Sequence, residues 1–235
     1  MSPKKLIVNA DDFGQSNGIN KGIIEAHEQG IVTSTSLMVR YPAAIDAAGY
    51  ARNNHTLGIG LHIDLGEWTY SDGNWDPLYE VISLDDATAV KGEINKQLTI
   101  FYQLMDRKPT HIDSHQHVHL RASIRPVFIE IARELNITLR NCSDRITYCG
   151  DFYGQCTDGS PLHSAISVEG LKQIISGLPG GITELACHPG TGDNINTMYQ
   201  LERITELTTL CDNTIQQTIA KATIELCSFE GIPFN

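Results

Sequence analysis

Residues 5–28 read KLIVNADDFGQSNGINKGIIEAHE. The apolar run Lys5–Asn9 has the length and branching of a strand buried on both faces. Asn17–Glu28 follows as a helix, with Ile19, Ile23 and Ala26 on one side. Two adjacent aspartates, Asp11 and Asp12, sit between them at the carboxyl end of the strand. The same strand-then-helix pattern recurs. Val32–Val39 predicts a second strand, Ala43–Arg52 a helix, and Leu57–Asp64 (LGIGLHID) a third strand. Leu84–Arg107 is a long helix in which Ile94, Leu98, Phe101 and Met105 recur at i, i+4, i+7 and i+11, stopped by Pro109. Thr110–Ser114, Ile137–Arg140 and Ile182–Cys187 complete six strands, with helices over Ile124–Leu135 and Val168–Gly177. Gly66–Tyr79 reads as a polar, aromatic surface loop, Asn141–Ala165 carries little pattern, and Leu201–Leu226 reads as largely helical. This alternation predicts a parallel sheet covered by helices. Six or seven such units favour an α/β fold of one domain over 1–235: a deformed (β/α) barrel of about seven parallel strands with outer helices.

Composition agrees with a globular chain. The 235 residues are 41% apolar and 19% charged, which excludes collagen, coiled coil and global disorder. Surface scaling gives a folded area of roughly 10,500 Å² against about 37,500 Å² extended, so about 70% of the surface can be buried. The net charge of −11 disfavours nucleic acid and anionic lipid, and no basic run exceeds two residues. A neutral or cationic small substrate suits this charge. None of the six cysteines forms a Cys-x-x-Cys pair, so they are expected as reduced thiols. No apolar run is long enough to span a membrane, and the first residues lack the apolar segment of a signal peptide. The expected location is cytoplasmic, with no membrane partner.

In a parallel barrel the reacting groups gather at the carboxyl ends of the strands. Those ends carry Asp11 and Asp12, His62, Asp113 and His115, Arg140, and His188. Two carboxylates side by side repel unless a cation or proton intervenes, so one suits a metal ion and the other a base; a turn or helix cap is the plain alternative. A histidine ending an apolar strand, such as His62, is more often structural than a ligand. The run His111-Ile112-Asp113-Ser114-His115-Gln116-His117-Val118-His119 holds four of the nine histidines. Imidazoles bind transition metals, and a carboxylate behind them fixes the tautomer. His115, first past the strand, is the choice of ligand; His117 touches substrate or supports a ligand, and His119 caps the next helix. His188 faces the mouth as a general acid or is held by the Pro189-Gly190 turn, while Cys187 points the other way into the core. Arg140 holds a carboxylate or orients the base, with a surface salt bridge as the plain alternative. Arg203 and Glu206 share one helix face, either within reach of the mouth or, the favoured reading, as an exposed i, i+3 ion pair. Nucleotide loops and a Gly-x-Ser-x-Gly elbow are absent from the sequence.

These motifs resemble the YdjC-like carbohydrate deacetylases, a family that includes chitooligosaccharide (diacetylchitobiose) deacetylases. The resemblance is carried by Leu6–Gly14, Gly30–Thr35, Gly58–His62, Lys108–His119 and Cys187–Gly190, in order from about residue 5 to 210. It implies a deformed barrel, often a homodimer, with one divalent ion given as magnesium. Its metal ligands carry over onto Asp12, His62 and His115, and its base onto Asp11. A wider similarity to polysaccharide deacetylases implies His188 as acid and Arg140 as a residue tuning the base. Asp113 and His117 are expected beside the ligands or the substrate from the chemistry of their own run. The expected reaction is metal-assisted hydrolysis of a linear amide: loss of the N-acetyl group from an amino sugar or short chitooligosaccharide, releasing acetate. Two imidazoles and a carboxylate suit zinc, cobalt or manganese better than magnesium, which prefers oxygen ligands. A metal phosphoesterase on the same barrel would need more ligands and more cations than Arg140. A non-catalytic sugar-binding protein would lack the base or a ligand, and none is missing.

Overall fold

The first strand does not stop at Asn9. In the computed structural model, which describes residues 2–71, 73–192 and 199–234, β1 runs Lys4–Phe13 and carries both aspartates inside it. Next come α1 (Asn17–Glu28), β2 (Ser34–Leu37), α2 (Ala44–Asn53), β3 (Gly58–Ile63), β4 (Gly66–Ser71), β5 (Asn74–Glu80), α3 (Ala87–Met105) and β6 (His111–Ser114). A 3-10 turn over His115–Leu120 leads into α4 (Arg125–Leu135), β7 (Thr138–Leu139), β8 (Ile146–Cys149), α5 (Val168–Gly177) and β9 (Gly181–Cys187). The chain ends with α6 (Gln200–Leu210), α7 (Asn213–Lys221) and β10 (Ile224–Cys227).

Seven parallel strands form a curled half-barrel in the order β7-β6-β3-β2-β1-β9-β8, with helices around it. One edge of β1 pairs with β9 from Lys4 to Ala10. The other edge is divided: β10 pairs with Lys4–Ile7, and β2 takes over from Asn9. Among the described residues no ladder joins β7 to β8, so the barrel is open there.

Alternation along β1 sorts the interior. Leu6, Val8 and Ala10 belong to the large apolar core shared with the helices. Ile7 packs instead with Ile146 and Phe229, and Asn9 and Asp11 follow it up the same face. The barrel lumen therefore has an apolar floor and a polar column above it. His111 stacks on Phe229 at 3.9 Å between ring centroids. It fits because β3 carries glycine at position 60: a methyl group there would lie 2.3 Å from the imidazole. A second close approach sets the mouth. A methyl on Gly22 of α1 would lie 2.4 Å from the Gly190 Cα, so helix and His188-Pro189-Gly190 turn meet backbone to backbone.

Four expectations are corrected. The segment Gly66–Tyr79 is an antiparallel hairpin, β4 with β5, rather than a loop. Trp, Thr and Tyr favour the pleat, and the Asp72-Gly73 pair in the sequence is a hairpin signal. Asn141–Ala165 contains the short strand β8, whose four residues were too few to show a period. Leu201–Leu226 is two helices and a strand: Asp212 caps α7 by accepting from the Thr214 N–H, and Thr223, at φ 55°, turns the chain into β10. The long helix α3 also ends short of Pro109, at a left-handed Asp106. Among the described residues no helix is long and apolar enough to cross a membrane.

Candidate active site

Strict alternation would send Asp11 and Asp12 to opposite faces of the sheet. The β1–β2 register slips between Ala10 and Phe13, and Asp12 adopts φ 69°. This bulge turns both carboxylates into the mouth, where both are buried. A left-handed aspartate costs roughly 1–3 kcal/mol, so the contacts of Asp12 must hold it there.

Those contacts are specific. Asp12 Oδ1 lies 3.3 Å from His62 Nε2 and 3.1 Å from His115 Nδ1. Its other oxygen accepts a 2.5 Å hydrogen bond from Arg203 Nη2. Burial raises the Asp12 pKa, but Arg203 and the two imidazoles more than offset it and hold the carboxyl well below its ordinary range. One donor atom each from Asp12, His62 and His115 lies within 4.8 Å of the others. His115 Nε2 is buried without a hydrogen-bond partner. His62 donates through Nδ1 to Asp113 Oδ1 at 2.7 Å, which leaves Nε2 aimed at the cluster. Burial lowers the His62 pKa; the Asp113, Asp12 and Asp11 carboxylates overcome it and raise the ring to about 10. Two imidazole nitrogens and one carboxylate oxygen, backed by a carboxylate behind one imidazole, fit a divalent transition ion.

Asp11 stands beside this cluster and is gripped from below. Arg140 Nη1 and Nη2 donate to its two oxygens at 2.6 and 2.7 Å, and Asn9 Nδ2 donates to Oδ1 at 2.9 Å. Oδ2 also lies 3.7 Å from His188 Nε2. Burial pushes the Asp11 carboxyl up; Arg140 more than reverses this, and the net shift is downward. Arg140 is itself fully buried. It also meets Asp113 Oδ2 at 2.9 Å and donates through Nε to Glu184 Oε1 at 2.6 Å. Glu184, on β9, is the third partner that sequence reasoning missed; burial pushes it up to about 7 in spite of the guanidinium.

The remaining histidines separate by role. His111 shares a hydrogen bond with Ser36 below Asp113, and burial pushes it down to about 4. The strand ends at Ser114, and Gln116 and His117 take φ 49° and 53°, so strand alternation does not carry His115 and His117 onto the face of His111 and Asp113. His117 Nε2 shares a 3.0 Å hydrogen bond with the Tyr148 hydroxyl at the wall of the cavity. His119 is buried between Ser114 Oγ and the Arg140 carbonyl, a structural position. Cys187 is buried, and His188 lies just beyond the strand.

Arg203 and Glu206 are not an exposed pair. Both are buried on α6 and face the site. Glu206 accepts from the His188 backbone N–H and, at 2.5 Å, from the Tyr199 hydroxyl; its Oε1 lies 3.9 Å from His188 Nδ1. Burial pushes Glu206 up to about 8 and His188 down to about 4. The i, i+3 spacing leaves both an exposed pair and a face turned to the mouth open, and the packing of α6 selects the second. Above these groups opens a cavity of about 1000 Å³, walled on one side by the hairpin and on another by Tyr148, Phe152 and Tyr153.

The model of the YdjC-like protein family matches residues 5–221. A carbohydrate deacetylase of Geobacillus stearothermophilus is 32% identical over 97% of each chain. One of Brevibacillus brevis is 30% identical over 97% of this chain and 99% of its own. The crystal structure of a candidate cellobiose-phosphate cleavage protein from Enterococcus faecalis V583 superposes with a TM-score of 0.78 at 28% identity, over 99% of this chain and 100% of that one.

Proposed function

Because the chain belongs to the YdjC-like family, we propose that it is a hydrolase that removes the N-acetyl group from an uncharged amino sugar or short chitooligosaccharide. Membership and the two deacetylase relatives support carbohydrate deacetylation. The observation that carries the finer reading is the pairing of a three-residue ligand cluster with a separate, ionised carboxylate, Asp11, in one mouth. Asp12, His62 and His115 would hold a divalent ion, which when bound would polarise the acetyl carbonyl and acidify the attacking water.

The protein's own groups move the protons. Asp11 is the base, and Oδ2 is the acting oxygen: Oδ1 accepts from both Arg140 and Asn9, whereas Oδ2 has one donor and faces His188. Water loses a proton to Asp11 and its oxygen bonds to the acetyl carbon. His188, neutral in the free protein, relays that proton through Nε2 to the sugar nitrogen as the C–N bond breaks. Acetic acid and the free amine result, and one further proton passes between them to give acetate and the ammonium form. Glu206 and Tyr199 hold the His188 segment in place during this transfer.

This proton path has a pH consequence. An acid that had to begin protonated, with its pKa at about 4, would lose about tenfold in rate for each unit above that value. A relay needs Asp11 ionised and His188 neutral, and both forms are present above about pH 4–5. The kcat/KM profile of the loaded enzyme should therefore show no fall centred near 6.5, and H188A should lower the plateau. An alkaline limb at 6–7 that disappears in H188A would reject the relay.

The ion is tested by chelation. Protein stripped and titrated with single ions should bind one per chain and recover acetate release with zinc, cobalt or manganese at least as well as with magnesium. Recovery with magnesium alone would refute the ligand argument. A phosphoesterase reading finds little support: among the described residues lining the cavity the Lys and Arg side chains are Arg121 and Arg203, and Arg203 is committed to Asp12. Release of phosphate rather than acetate from a panel of acetylated and phosphorylated sugars would favour it.

A further inference from the structure

One carboxylate in the cavity wall takes no part in the proton path above. Glu67, on β4 of the hairpin, lines the cavity with Asp12 and His115. Its side chain is 16% exposed, and its Oε2 lies 4.0 Å from His115 Nε2. That nitrogen is buried and has no hydrogen-bond partner. A buried donor in want of an acceptor therefore faces a largely buried carboxylate across a small gap.

The chain is built to hold the two residues side by side. Trp68 N–H donates to Gln116 Oε1 at 2.9 Å, and Gln116 Nε2 donates back to the Trp68 carbonyl at 2.8 Å. Glu67 precedes Trp68 and His115 precedes Gln116, so this reciprocal pair straps one residue beside the other. Gln116 makes it from a left-handed backbone, φ 49°, which the two hydrogen bonds help to hold. The β4–β5 ladder slips between Glu67 and Trp68, a bulge of the kind that re-aims side chains next to a site. Tyr79, opposite Glu67 in that ladder, donates from its hydroxyl to buried Asp64 at 3.0 Å and anchors the hairpin's base.

The His115 ring has one nitrogen for each neighbour. His115 Nδ1 lies 3.1 Å and His62 Nε2 3.3 Å from the same Asp12 oxygen. Bonds of about 2.0–2.2 Å to a shared ion set adjacent donors about 3.0–3.4 Å apart, so both nitrogens already stand at inner-sphere spacing from Asp12. Nε2 of His115 is then free to donate, and Glu67 is the acceptor it faces. His62 uses its nitrogens the other way round, with Nε2 toward the cluster and Nδ1 donating to Asp113.

We propose that Glu67 is a positioning residue for the ion site: it accepts from His115 Nε2–H, fixes Nδ1 as the ligand atom and makes the hairpin part of the ion's support. This rests on the ion reading above and assigns a residue which that reading does not use. The 4.0 Å separation closes to a hydrogen bond with a carboxylate shift of about 1 Å. A carboxylate behind an imidazole ligand fixes its tautomer and orientation, and losing such a partner costs about 10–100-fold in ion affinity.

Stripped protein titrated with zinc alone tests this without turnover. E67A should bind zinc about 10–100-fold more weakly than wild type, and E67Q, whose carbonyl still accepts from Nε2–H, should recover part of the loss. Q116A, which cuts the strap and leaves the carboxylate, should weaken binding in the same direction. Nitrogen-15 NMR of zinc-loaded wild type needs no variant: His115 should carry its proton on Nε2 and the metal on Nδ1. Zinc on Nε2 would overturn the proposal. So would E67A that binds zinc as tightly as wild type, and a rise in KM alone in that variant would make Glu67 a contact to the sugar instead. If wild type binds no ion, the ion reading and this proposal fall together; if it binds one that E67A holds equally well, only the role of Glu67 is lost.

Discussion

Asp11→Asn is expected to reduce acetate release by about 10³-fold while leaving ion stoichiometry and folding close to wild type. The magnitude is that of losing a positioned general base. Asparagine keeps the shape of the side chain and can still accept from Arg140 through its carbonyl. Arg140 retains Asp113 and Glu184, so no buried charge is left alone. The donor atoms of Asp12, His62 and His115, the proposed ligands, are untouched, and one ion per chain should still bind. Acetate kinetics with ion binding measured on the same sample checks this. Near-normal turnover in the variant would remove Asp11 from the mechanism. Loss of ion binding instead would make it a ligand; its oxygen does lie within 4.8 Å of donor atoms of His62 and Asp113, so the comparison discriminates between real alternatives.

Arg140→Met should cause the largest loss of stability. The guanidinium has no solvent exposure and neutralises three buried carboxyls, Asp11, Asp113 and Glu184. Removing one partner of such a network costs about 3–5 kcal/mol, because the charges left behind have no water to turn to. For a chain of this length that lowers the melting midpoint by roughly 10 °C. The pH dependence carries the sign. In the wild type Asp11 and Asp113 have depressed pKa values, so they add stability above the ordinary carboxylate range and lose it as pH falls. In the variant the same carboxyls are buried beside one another without a cation, and their pKa values rise. Protonation then relieves the strain, so the deficit relative to wild type should be larger at pH 8 than at pH 5. Arg140→Lys should recover part of it, since charge is kept but the two-pronged grip on Asp11 is lost. A deficit independent of pH, measured by thermal melts at both values, would mean that the cost is lost packing rather than charge.

Much of the site was legible before any coordinates. A parallel βα chain concentrates functional side chains at the carboxyl ends of its strands, so Asp11, Asp12, His62, Asp113, His115, Arg140 and His188 could be selected by position alone. What failed to show were residues whose role depends on which helix face touches the mouth. Glu206 and Arg203 lie three apart on an amphipathic helix, a spacing equally typical of a solvated ion pair. Glu184 sits mid-strand between Thr183 and Leu185, and only the inward face of β9 makes it a partner of Arg140. The hairpin was missed because its turn residues outweighed the β-favouring Trp, Thr and Tyr around them.

Local periodicity, strand ends and residue chemistry determined the fold class and nominated the cluster of candidate residues, because strand alternation and helical spacing depend on nearest neighbours along the chain; the division of that cluster into ligands and base came from the family resemblance. Tertiary structure decided the rest. It broke the alternation at Asp12 so that two neighbouring carboxylates face the same way, sent His111 and His119 into the interior, and drew α6 and the hairpin over the mouth. Those outcomes depend on contacts between segments far apart in sequence, such as Arg203 with Asp12 and Arg140 with Asp11. No local pattern encodes which distant charge will be buried beside which.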